Sequence, residues 1–375
     1  MKRLSKRFTL VLALFALAVL VAILASCGQN TSMVTGPEGM SGPSLAGLKA
    51  SDAAVGAAIR AQNRHTADLM KMPGVVGTAI TADAKGQPAI MVLTESANPS
   101  RHLPASVEGY AVVEFVSGKI HAMKGGGGGV SHTAKQTPPI QLGTSGSPSL
   151  DIANGFCCGG TLGSLVHIGS TQYILSNSHV LCGDVVSGGN GRVSQIGDDI
   201  QQQGLIDNNC SASGTNIVAD VSSLSTIYPP GSTPNVDCAI AQVRSGMVSS
   251  TGSILEIGTI SATTVAASVG QAVKKSGRTT ALSRSTIAAL NATVSVGYED
   301  ECAGNSFTKT YTGQIIINNR HSGFLNSGDS GSLMVEDVTT NPRAVGLLFA
   351  GSSSTAVANP INDDLAHLGA SMVGQ

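Results

Sequence analysis

Apolar and polar positions fall into four regimes along the chain. The first is an uncharged apolar run of 19 residues, "FTLVLALFALAVLVAILAS" from Phe8 to Ser26, behind Lys2, Arg3, Lys6 and Arg7. In the second, Val55, Ala58, Ile59, Leu69 and Met70 lie near one face, and Ser51 and Asp52 can cap the start, which predicts a helix over residues 51–71. Two strands follow, "GVVGTAITA" and "PAIMVLTES", joined across the turn-like "DAKGQ", and "YAVVEFVSGKIHAM" completes a small α+β module. The third regime has no periodicity: a spacer before the module and "KGGGGGVSHTAKQTPPIQLGTSGSP" after it, a linker by composition. The fourth is a succession of short strands between Gly, Asn and Ser turns, including "TQYILSNS", "CAIAQV", "ATVSVGY", "GQIIINN", "GSLMV" and "AVGLLFAG". That spacing suits a sandwich or barrel, not a βαβ sheet. Only the end reads as helix, with Asn362 as cap and Ile361, Leu365, Leu368 and Met372 on one stripe. The chain therefore divides into a leader (1–26), a spacer (27–50), an α+β module (51–123), a linker (124–147) and a β unit (148–375).

Composition agrees with a mainly β protein: 46 glycines and only 12% charged residues leave little material for long helices. The basic start and apolar run read as a signal peptide, and "LASC", Leu24 to Cys27, resembles the lipobox of bacterial lipoproteins. That resemblance implies lipidation of Cys27; the alternative is an uncleaved membrane helix, since the run is long enough to span about 30 Å of hydrocarbon. Either way the remainder is expected outside the cytoplasm and tethered to a membrane. Without the four basic leader residues, 18 Lys and Arg face 23 Asp and Glu, a net charge of −5. Mild acidity with no basic cluster argues against nucleic acid as a partner. Setting Cys27 aside leaves Cys157, Cys158, Cys182, Cys210, Cys238 and Cys302, an even set that reads as disulfides in an oxidising compartment. With no CxxC, no HExxH and eight scattered histidines, neither a metal site nor a cofactor is expected.

The candidate chemistry lies in "NSGDSGSLMV", residues 326–335, which holds Ser330 in a glycine-rich turn before an apolar run. A hydroxyl is a weak nucleophile at neutral pH and needs a base. His179, in "QYILSNSHVLC", stands where an apolar strand meets a corner of small residues. The imidazole in turn needs a carboxylate to fix its tautomer. Asp237, opening the apolar strand "NVDCAIAQV", fits. The other histidines, His65, His102, His121, His132, His167, His321 and His367, read as surface or packing residues. An α/β-hydrolase order using Asp363 and His367 fails, because they sit four apart on the terminal helix and "GDSGS" lacks the second glycine of G-x-S-x-G.

"GDSGS", a histidine closely followed by cysteine after a strand, and "VDCAIAQV" together resemble the chymotrypsin-like (trypsin-fold) serine proteases of bacterial type, and the order His, Asp, Ser matches. The resemblance spans roughly residues 155–372. It implies two antiparallel six-stranded β-barrels with a C-terminal helix, preceded by the α+β module, and a catalytic triad of His179, Asp237 and Ser330 in the cleft. It further implies an oxyanion hole from the N–H groups of Gly328 and Ser330. "CCGGTLGSLV" resembles the family's "CGG" strand, which implies a disulfide from Cys158, or its neighbour Cys157, to Cys182. Asp329 is expected to pair with Lys275 or Arg278, holding the loop without zymogen cleavage. Phe324, Phe349 and Gly351 are the implied specificity-pocket residues, favouring an apolar or small guest over Lys or Arg. The implied activity is extracytoplasmic peptide-bond hydrolysis through an acyl-enzyme. A catalytically silent protease-fold lipoprotein, acting as a binding or scaffold module, is the alternative.

Overall fold

The structure, a computed structural model, describes residues 47–98, 102–122, 130–153, 156–182, 195–223, 226–227, 233–298 and 306–375. The leader, Cys27 and Cys302 lie outside the described residues.

Short apolar runs interrupted by glycine build the first barrel: β4 (Thr144–Pro148), β5 (Gly160–Leu162), β6 (Ser164–Ile168), β7 (Thr171–Ser176), β8 (Asp199–Gln202), β9 (Asn216–Val221) and β10 (Ala239–Val243). They follow in antiparallel order β6-β7-β10-β9-β8-β4-β5. Strands β5 and β6 are two halves of one bent strand meeting at Gly163, so the path closes on itself and counts six strands. Only glycine fits at the bend, because a Cβ there would lie 2.0 Å from the carbonyl oxygen of Gly331 and 2.9 Å from that of Leu175. Leu165, Ile174, Val218, Ile240 and their neighbours fill the interior.

The second barrel uses β11 (Ala272–Gly277), β12 (Ala281–Tyr298), β13 (Phe307–Asn318), β14 (Leu333–Glu336), β15 (Ala344–Gly351) and β16 (Thr355–Pro360). Its order is β11-β14-β15-β16-β13-β12, and pairing of β11 with β12 closes it, again six antiparallel strands. A short helix, Ile361–Leu368, follows β16 and ends at Gly369 in the left-handed region. It is shorter than the apolar stripe suggests. Asn362 lies inside its first turn, and Met372 belongs to a two-residue strand that pairs with Val166 of β6.

The N-terminal stretch contains α1 (Ala53–Met70), β1 (Val75–Ala82), β2 (Pro88–Thr94) and β3 (Tyr110–Val116). Its sheet, however, continues that of the second barrel. Strand β12 is 18 residues long, and its far half pairs with β1 through Gly77↔Val294, Thr78↔Thr293 and Ile80↔Leu290. Apolar surface is shared to match, with Val76, Met91 and Leu93 in one cluster with Val294, Tyr311 and Phe349. The buried Gln62 of α1 donates to Thr78 Oγ1 (3.0 Å) and to the Asn291 carbonyl (3.1 Å), tying helix to strand.

The linker expected over 124–147 needs correction at its C-terminal end. Ile140 and Leu142 are fully buried in the first core and bridge to Val248 and Ile254, and β4 already starts at Thr144. Two isolated apolar residues among Pro, Gln and Thr carry no periodicity, so composition alone hid them.

Candidate active site

At the end of β7 the chain turns into one helical turn, Ser178–Leu181, which carries His179. Asp237 sits two residues before β10, the strand paired with β7, so Ser176↔Ala239 register brings the two side chains together. Asn177 Nδ2 (2.7 Å) and Asn359 Nδ2 (3.1 Å) both donate to the Asp237 carbonyl and fix its backbone. Asp237 is fully buried, and its Oδ1 accepts the N–H groups of Ser178 (2.8 Å) and His179 (3.3 Å). Its Oδ2 lies 2.6 Å from His179 Nδ1. Burial pushes the Asp237 carboxyl up, but the facing imidazole and the hydrogen bonds from His179 and Tyr298 outweigh it and hold the group below its ordinary value. An ionised carboxylate only accepts, so the proton of a neutral His179 sits on Nδ1 and Nε2 presents a lone pair. That Nε2 is buried and has no hydrogen-bond partner among the described residues.

Ser330 lies in the loop between β13 and β14, where Gly328 (φ +94°) and Gly331 (φ +90°) supply left-handed backbone. The loop is tied to the first barrel by Thr161 of β5, whose Oγ1 donates to the Gly328 carbonyl (2.9 Å) and whose N–H donates to that of Ser330 (2.9 Å). Gly331 N–H donates to Leu348 O (2.9 Å), tying it to β15. Among the described residues, neither the Gly328 nor the Ser330 N–H donates a hydrogen bond, which leaves two donors of one loop uncommitted. The Ser330 hydroxyl donates to the Phe349 carbonyl (3.2 Å), not to His179. Ser330 is fully buried and His179 is 4% exposed.

Asp329 is the loop's anchor. It is fully buried, and its carboxylate accepts the N–H groups of Thr279 (2.9 Å), Thr280 (3.1 Å) and Asn326 (3.0 Å) and the Thr280 hydroxyl (2.7 Å). Of the two cations expected for it, Lys275 is the partner at 2.9 Å. Arg278 is held instead by Asp207, through Nε at 2.7 Å.

Two site expectations are corrected. Cys158 does not bond Cys182: Cys157 bonds Cys210, Cys158 is engaged in another disulfide, and Cys182 is a free buried thiol aimed at the Ser223 carbonyl. The doubled cysteine places Cys157 toward the turn holding Cys210, a connection that spacing cannot foretell. Phe324 and Phe349 are core residues here, not the lining of an open pocket. Phe324 packs with Val273, Ile287 and Leu325, and Phe349 stands edge-on to Tyr311 with ring centroids 5.0 Å apart. Gly351 and Ala350 of β15, the expected pocket wall, already pair with His121 and Ala122 of the N-terminal module.

Sequence reasoning missed Thr161, and it missed Tyr298 and Tyr311, which stand behind Asp237. Tyr298 OH donates to Asp237 Oδ2 (2.9 Å) and lies 2.6 Å from Tyr311 OH. The available signal was a tyrosine ending an apolar strand in a chain with only five tyrosines. A phenol buried at that point needs a polar partner.

The Nal1 C-terminal domain family matches residues 234–359 of this chain. No curated protein matches it. Among solved structures, a glutamic acid specific serine protease is 19% identical with a TM-score of 0.41, covering 62% of this chain and 100% of that one. Thermobifida fusca Protease A is 21% identical (TM-score 0.40), covering 63% of this chain and 99% of its own. The Cellulomonas bogoriensis chymotrypsin is 22% identical (TM-score 0.37), covering 57% and 91%. Over about three-fifths of its length the chain is similar to bacterial chymotrypsin-like serine proteases.

Proposed function

We propose that this chain is a serine endopeptidase working outside the cytoplasm and tethered to a membrane through Cys27. The observation that carries the catalytic reading is the state of His179: its Nδ1 proton is held by a fully buried carboxylate while its Nε2 lone pair has no partner among the described residues. In this reading Ser330 Oγ turns from the Phe349 carbonyl, gives its proton to Nε2 and attacks the substrate carbonyl carbon. The Gly328 and Ser330 N–H groups receive the oxyanion, a contribution typically worth about 10²–10³ in rate per donor. His179 then protonates the leaving amine, and water, deprotonated by the same nitrogen, releases the acyl group from Ser330. The tethering reading rests on the basic start, the apolar run to Ser26 and "LASC".

Two observations favour the second reading, a silent binding module: the serine hydroxyl is committed to a carbonyl, and the Ala350–Gly351 edge is already paired with the chain's own residues. Labelling with a fluorophosphonate probe separates the two. The peptidase reading expects labelling of the wild type and none of Ser330→Ala. No labelling of the wild type, or equal labelling of both, sinks it. Tethering is tested by detergent phase partition, where Cys27→Ala should move the protein to the aqueous phase if lipid is the anchor.

A further inference from the structure

Beyond the His179–Asp237 pair, the polar chain continues into the second barrel. Asp237 Oδ2, the oxygen that faces the imidazole, also accepts the Tyr298 hydroxyl at 2.9 Å. Tyr298 has one hydroxyl proton, so in its 2.6 Å contact with Tyr311 the Tyr311 hydroxyl is the donor. Both phenols are buried: Tyr311 is 0% and Tyr298 4% exposed. Their rings are fixed independently of their hydroxyls. Tyr298 stacks on Phe307 with centroids 5.0 Å apart and stands edge-on to His179 at 6.0 Å; Tyr311 packs edge-on to Phe349. Neighbouring strands β12 and β13 bring the two tyrosines to one inward face, through Tyr298↔Phe307 and Val294↔Tyr311 pairing.

We propose that Tyr298 is a positioning residue for the base: its hydroxyl fixes the Asp237 carboxylate and draws charge from the oxygen that holds His179, and Tyr311 polarises it for that role. The proposal rests on the reading of His179 as the base. Its physical content is a competition for one oxygen. A donor on Oδ2 disperses carboxylate charge, so the imidazolium is stabilised less than by a carboxylate without it. Removing the hydroxyl alone returns that charge to the His179 hydrogen bond.

Other titratable groups near the pair do not substitute for the phenol. Burial pushes the Tyr298 hydroxyl well above its ordinary pKa, so it stays a donor. Asp364 and Cys238 lie close enough to feel the Asp237 charge, and burial raises both well above their ordinary values. Cys182 is pushed up to about 12 by burial. Lys309, over the Tyr311 ring at 5.1 Å, donates a hydrogen bond to the Thr226 carbonyl at 2.7 Å, not to Asp237.

The test is Tyr298→Phe in the full chain, which keeps both ring contacts and deletes one oxygen. The readout is the titration of His179 by NMR, which needs no turnover. Its pKa should rise by about half to one unit, a three- to tenfold gain in proton affinity. Tyr311→Phe should move it in the same direction by less, because it weakens Tyr298 as a donor without removing it. In an active preparation, the acid limb of kcat/KM should move up by the same interval. A folded Tyr298→Phe chain whose His179 titrates within about 0.2 units of wild type overturns the proposal. Should that variant not fold, Tyr311→Phe decides, and an unchanged or lowered His179 pKa overturns it. If the shift occurs in a chain that takes no fluorophosphonate, the peptidase reading fails and the charge relation stands.

Discussion

Replacing Asp329 should cost far more than replacing its partner Lys275, although the two form one ion pair. Both side chains are fully buried at 2.9 Å, so solvent screening does not dilute the comparison. Asp329→Asn keeps the shape but removes the charge that compensates a buried ammonium. It also turns one acceptor oxygen into an NH₂ group facing N–H or O–H donors, since both oxygens of Asp329 accept. Breaking a buried pair in this way typically costs about 3–5 kcal/mol. Lys275→Met leaves the carboxylate with its four neutral donors and removes only the cation and its contacts to Thr280 Oγ1 and the Ala281 carbonyl. Burial already pulls the Lys275 pKa down against the pull of Asp329, so the ammonium gains little net from the site. About 1–3 kcal/mol is expected for its loss. Urea unfolding followed by circular dichroism measures both at a common slope. Equal losses, or a larger loss for Lys275→Met, would refute the view that Asp329 holds the loop through its whole donor set with Lys275 as one member.

Gly331→Ala should be among the harshest small changes. Its Cβ would lie 2.0 Å from Ser176 Oγ and 2.3 Å from the Thr161 carbonyl oxygen at φ +90°, so a Tm drop beyond about 10 °C, or no folded protein, is expected in a thermal melt, and a drop under about 2 °C contradicts the packing. The Asp364 carboxyl is raised well above its ordinary value in the fold, first by burial and then by the charges of Asp363 and Asp237, so it holds its proton more tightly in the folded chain than in the unfolded one. Its contribution is complete below the ordinary value of 3.8 and declines as pH rises toward the raised folded pKa. The stability of Asp364→Asn relative to wild type should therefore be greater at pH 8 than at pH 5, and an identical difference at both removes Asp364 as the cause. Cys182, pushed up to about 12, and Cys238, also raised well above its ordinary value, should resist iodoacetamide at pH 8 until urea is added. Peptide mass spectrometry reads this directly, and fast alkylation of either in the native chain contradicts their burial.

The short apolar runs of "TQYILSNS" and "GQIIINN" between Gly, Asn and Ser turns make the β architecture legible in the sequence, because short runs bounded by turn residues need no knowledge of partners. His179, Asp237 and Ser330 stand out for another reason: each is a reactive side chain at the boundary of an apolar strand. Three kinds of information were not legible. The Cys157–Cys210 bond depends on which of two adjacent cysteines faces a turn formed 53 residues later. The choice of Lys275 over Arg278 for Asp329 depends on Asp207 claiming the guanidinium, a contact across 71 residues. The burial of Phe324 and Phe349 depends on the direction each side chain takes from its backbone, which no local pattern encodes.

The sharing of β12 between barrel and module sets a timetable for folding. Gly77 must wait for Val294, roughly two hundred residues later in the chain, before β1 gains its partner. Helix α1 and the β1–β2 hairpin can form within microseconds to milliseconds of emerging, yet one flank of β1 then stays open for strand addition by any neighbouring chain. The earliest strand made is thus among the last completed, and the arrival of β12, not the formation of α1, governs when the amino-terminal half becomes safe from aggregation.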